Sequence, residues 1–84
     1  MELSQSARNW LRNRQQERGK YPTKSCKFSK VIEEIVAFAE EHAIAFILEI
    51  VLSGIRNNLL QKRVCKFDLH LVIVMNQKYK LLTI

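Results

Sequence analysis

Eighty-four residues, 48 % of them hydrophobic, with two Gly and one Pro, make a single small domain and exclude a low-complexity or disordered chain. The formal net charge of +6, from 14 Lys/Arg against eight Asp/Glu, fits a polyanionic partner as readily as an ordinary solvated surface. Two cysteines 39 residues apart and two histidines match no close ligand spacing, so no metal or cofactor is expected.

In chain order, a first helix is predicted over about residues 4–17. Ser4 or Ser6 is the N-cap, Leu3, Ala7, Trp10 and Leu11 recur at helical spacing, and arginines line the outer face. Gly19 ends it, and Pro22 with Thr23 and Ser25 holds residues 18–28 as a basic loop. Ser29 then reads as the N-cap of a long helix over about residues 29–61, with Glu33 and Glu34 near its positive end. Apolar residues at 32, 35, 36, 39, 43, 46, 47, 50, 51 and 55 form a stripe with no breaker before Gly54. Such a helix would be about 50 Å long, against a diameter of roughly 30 Å for a globule of this chain length. Its cover is therefore expected to be a second chain, with Ile35, Phe46, Ile47, Ile50, Val51, Ile55 and Leu59 at the interface.

A second basic loop is expected over residues 62–66, followed by a segment that admits two readings. As a helix over about residues 67–77, it turns Phe67, Leu71 and Val74 inward and His70 outward. As a strand, Cys65, Phe67, Leu69, Leu71, Ile73 and Met75 alternate with the residues between them, and "NQK" turns a hairpin into "YKLLTI". The helix gives an all-α domain; the strand gives an α+β one.

Charge is segregated along the chain. Residues 1–30 carry +6, residues 31–55 carry −5 and residues 56–84 carry +5. Cys26 and Cys65 read as free thiols, with one disulfide as the alternative. No secretory leader pattern stands at the N-terminus, and the apolar run over residues 43–55 is too short for a bilayer and contains Glu49. An intracellular, soluble protein without membrane contact is expected. His42 beside Glu40 and Glu41 reads as a surface histidine, and Trp10 as core rather than a base-stacking platform. No spacing pairs a nucleophile with a base, so no catalytic residue and no enzyme is read.

The order short helix, basic loop, long helix, basic loop, short helix is similar to the histone fold. Phe46, Glu49 and Gly54 in "FILEIVLSGIR" resemble the second half of its central helix. "KRV" at 62–64 resembles the basic loop that follows, and Asp68 the acid that opens the third helix. Small histone-fold subunits of the centromere protein X kind are nearest, with core histones and TATA-binding-protein-associated factors behind. The resemblance implies a nuclear protein that pairs head to tail, in a handshake, with another histone-fold chain or itself. It also implies that the loops form a basic edge for duplex DNA, which assigns phosphate contacts to Arg18, Lys20, Lys24, Lys27, Lys62, Arg63 and Lys66. A second expectation is a small dimerisation or adaptor module, viral in one version, that binds no nucleic acid.

Overall fold

Four helices account for the fold. The computed structural model describes residues 3–81 as α1 (Gln5–Arg18), α2 (Cys26–Glu41), α3 (Ala45–Leu60) and α4 (Lys66–Tyr79). Ser4 opens α1, its Oγ accepting the Ala7 N–H at 3.2 Å, and Gly19 closes it by donating its N–H to the Gln16 carbonyl. α2 starts one turn before the predicted point. Ser25 is the cap, accepting the Lys27 N–H at 3.1 Å, and Ser29 lies buried inside the helix.

The expected helix over residues 29–61 is two helices. Ala43 takes the left-handed conformation, φ 55°, and its N–H bonds to Glu40 O while that of Ile44 bonds to Ala39 O at 2.8 Å. This is a Schellman ending with alanine in the place usually held by glycine. Ile44 and Ala39, the positions of its usual apolar contact, are both in the core cluster. The chain therefore turns back, and α3 packs against α2. The radius of gyration, 12.3 Å, is that of a globule of this length, about 12 Å. The single central helix of the histone-fold reading is thus not formed.

That reversal redirects the residues expected at a partner interface. Ile35, Ile47, Val51 and Ile55 are buried in this chain's own core with Ile32, Val36, Ala39, Leu48 and Leu52. Leu59 is half-buried; Phe46 and Ile50 stay exposed, at 61 % and 49 %. These residues are buried where α2, α3 and α4 pack against one another within the one chain.

Residues 66–79 are helical, which decides against the strand reading of this segment; residues 82–84, the end of its hairpin, lie outside the described residues. The inward face of α4 differs from the expected one. Asp68, Val72 and Met75 are buried and Leu71 half-buried, whereas Phe67 and Val74 are exposed at 42 % and 40 %. His70 points outward as expected. Tyr79 Oη and Lys78 Nζ donate to Glu40 Oε2 at 2.6 and 3.1 Å, clasping the end of α4 to the end of α2. On the other side, Trp10 stacks on Phe38 with centroids 4.4 Å apart, and Phe38 on His42 at 4.1 Å. Trp10 is thus a packing residue, as its helical position predicts. Cys26 and Cys65 are free thiols.

Candidate nucleic-acid interface

With α2 and α3 folded back on one another, the two basic loops come to the same end of the molecule. Tyr21, Pro22, Thr23 and Lys24 form one wall of an open groove of about 720 Å³, and Gln61, Lys62 and Arg63 form the other. Local structure explains the placement of both walls. Pro22 starts a turn closed by the Ser25 N–H on its carbonyl at 2.9 Å, which delivers Lys24 just ahead of the α2 cap. Lys62 occupies a second left-handed helix ending, φ 57°. Its N–H bonds to Leu59 O at 2.9 Å and that of Arg63 to Asn58 O at 2.8 Å. The last carbonyls of α3 are satisfied by backbone, so the Lys62 and Arg63 side chains are not needed as caps and are exposed.

The other expected phosphate contacts are distributed unevenly. Lys20 is exposed just after α1. Lys27 and Lys66 are exposed in the first turns of α2 and α4 but do not line the groove. Arg18 is turned inward: its guanidinium lies 5.9 Å from the centroid of the Phe28 ring and approaches Gly54 of α3. Burial lowers the Arg18 pKa from its ordinary value, and the half-buried side chain is less open to solvent than the exposed loop lysines. Among the described residues, ion pairs engage Arg14 and Lys78, and none engages Lys20, Lys24, Lys27, Lys62, Arg63 or Lys66. Among the described residues their charge is uncompensated at ion-pair distance, and no acidic residue is among those lining the groove.

Tyr21 and Gln61 line the groove without having been assigned to it from the sequence. The usable signal was their position: each sits beside a residue of a basic loop that ends a helix. Nothing local showed that loops about 40 residues apart would meet.

A polar cluster lies beneath the start of α4. Asp68 is fully buried, at 0 % exposure, and Ser29 Oγ sits 2.7 Å from Cys65 Sγ. Among the described residues neither Asp68 carboxylate oxygen completes a hydrogen bond. Burial raises the Asp68 pKa, and the nearby Ser29 hydroxyl, Cys65 thiol and Cys65 N–H oppose that rise without cancelling it. Among the described residues no three His, Cys, Asp or Glu side chains are grouped to hold a metal ion, and no helix is long and apolar enough to cross a membrane. No protein-family model, curated protein or solved structure matches this chain.

Proposed function

We propose that the chain is a non-enzymatic module that grips the phosphate backbone of duplex DNA in the groove between its two basic loops. The observation that carries this reading is the convergence of Lys24 with Lys62 and Arg63 across one open groove, with Lys20 nearby in the same loop. Cations brought together from distant segments, without acidic partners among the described residues, bind closely spaced phosphates and release the counterions condensed on them. Contacts from Lys24, Lys62 and Arg63 to phosphate oxygens carry no sequence information, so binding through them is insensitive to sequence. From the histone-fold reading this keeps the basic-loop contact and the nuclear, chromatin-associated setting, but not the long central helix.

The test is fluorescence anisotropy on a short labelled duplex at several salt concentrations. Lys24→Ala and the pair Lys62→Ala with Arg63→Ala should each weaken binding to unrelated duplexes alike. The slope of log affinity against log salt should fall by about 0.9 for each phosphate that is no longer neutralised. Arg8→Ala with Arg12→Ala, on the exposed face of α1, should change the slope less. Equal effects of the two sets would overturn the groove as the site, and no measurable affinity of the wild type at low salt would overturn the function.

A further inference from the structure

The outward face of α3 is apolar at both ends and nearly uncharged between them. Phe46, Ile50 and Leu60 are exposed at 61 %, 49 % and 72 %, and Glu49, Ser53 and Asn57 are exposed with them. Their spacing places them on one side of the helix, opposite the buried Ile47, Leu48, Val51, Leu52 and Ile55. α4 extends the surface. Its Phe67 flank lines a cleft with Cys26, Ser29 and Lys30 of α2, so the exposed Leu69 and Ile73, on the opposite flank, lie toward α3.

We propose that this face is the docking site for a second copy of the chain, with the two α3 helices antiparallel about a two-fold axis at Ser53. The order of residues along α3 argues for that occupant. In an antiparallel pair centred on Ser53, positions equally far before and after it meet. Phe46 and Leu60 both lie seven residues from Ser53, so each Phe46 meets the other copy's Leu60, and the two most exposed apolar side chains of the stripe cover one another. Glu49 falls opposite Asn57 and within reach of the half-buried Arg56, one residue away, which gives two symmetry-related opposite-charge contacts. The small Ser53 side chain, followed by Gly54, lets the helices approach at the crossing.

A parallel pair would set Glu49 against Glu49 and leave Leu60 facing Leu60 without the larger ring, so charge selects the antiparallel form. The contact is isologous and closes at two copies. The dimer's apolar contact comes from one helix face and the flank of another, which fits the weak, reversible class of interface. The proposal does not rest on the groove binding phosphate.

Sedimentation of the full chain without DNA tests it. The expected result is a monomer–dimer equilibrium across the micromolar range, abolished by Phe46→Asp while the circular dichroism spectrum stays helical. The register has its own readout. In a background of Cys26→Ser and Cys65→Ser, Ser53→Cys should form a disulfide-linked dimer under mild oxidation several-fold faster than Asn57→Cys, which faces Glu49 rather than itself. A chain that is monomeric at every concentration, or a dimer that survives Phe46→Asp, would overturn the interface. Equal cross-linking by the two cysteines would overturn its geometry. Loss of DNA binding by the groove variants leaves sedimentation unchanged, so the two readings fail separately.

Discussion

Replacing Asp68 by asparagine removes a charge from inside the core while keeping its shape. Two effects compete at this position. As the third residue of α4, the carboxylate is favoured by the helix dipole, by about 0.3–1 kcal/mol. Against that, a buried polar group left without partners costs about 1–3 kcal/mol, and a charged one more. With 0 % exposure and no completed hydrogen bond to either oxygen among the described residues, burial is the larger effect, in agreement with the raised pKa. Asp68→Asn should therefore stabilise the protein at neutral pH by about 1 kcal/mol, which for a domain of this size raises Tm by roughly 4–8 °C.

The pH dependence has a definite sign. Because the folded pKa lies above the unfolded one, near 3.9, the folded protein binds the Asp68 proton more tightly. Stability from this group is greatest below the unfolded value, falls as pH rises through the folded pKa, and is constant above it. Glu40 acts in the opposite sense. Tyr79 and Lys78 hold its pKa below the ordinary value, so its contribution is present above the ordinary glutamate range and is lost as pH falls through the folded pKa. The readout is accordingly the difference between variant and wild type in thermal melts from acid to neutral pH. That difference should shrink toward zero, or reverse, as pH falls to about 4. A variant less stable than wild type by a constant amount at every pH would refute the reasoning and make Asp68 a satisfied helix cap.

Further outcomes follow from the packing. Leu52→Ala, at a position with 0 % exposure, should cost about 2–5 kcal/mol. Phe46→Ala, measured where the chain is monomeric, should change stability by no more than about 0.5 kcal/mol; chemical denaturation compares the two. Ala43→Gly should stabilise by up to about 1 kcal/mol, because the left-handed backbone at φ 55° strains alanine and not glycine, and Ala43→Val should destabilise; thermal melts show both. Gly54→Ala meets the Arg18 guanidinium at 3.2 Å, the movable end of a long side chain. The helix-propensity gain of up to about 1 kcal/mol should outweigh that contact, and a fall in Tm would show that Arg18 cannot give way.

The ends of α1 were legible because its serine cap, apolar spacing and Gly19 stop agreed. The alternation over residues 65–76 competed with helical spacing, and what decides it is burial: Asp68, Val72 and Met75 share one helical face. An acid on that face hid it from a reading based on apolar residues. The break at residues 42–44 was also hidden, since apolar spacing runs through it and alanine is a poor left-handed residue. The available clue was length. A helix of about 50 Å does not fit a globule of this size, and the mismatch had two solutions, a partner or a reversal of the chain. Schellman hydrogen bonds at Ala43 realise the reversal. For the groove, the basic loops were legible as loops, but their meeting depends on that reversal and so was not.

The attachment of α1 has a consequence for the opening motions of the native state. α1 contributes one buried side chain, Leu11, and packs on α2, with the Trp10 stack and the Arg14–Glu34 pair at 2.7 Å beside it. α2 and α3 each bury several large side chains. Amide protons of α1 should therefore exchange with solvent through a lower-energy subglobal opening, ahead of those of α2 and α3. The loop that carries Lys24 joins α1 to α2, so a polyanion held across the groove is linked to that opening. It slows α1 exchange to the extent that it binds the closed form more tightly than the open one.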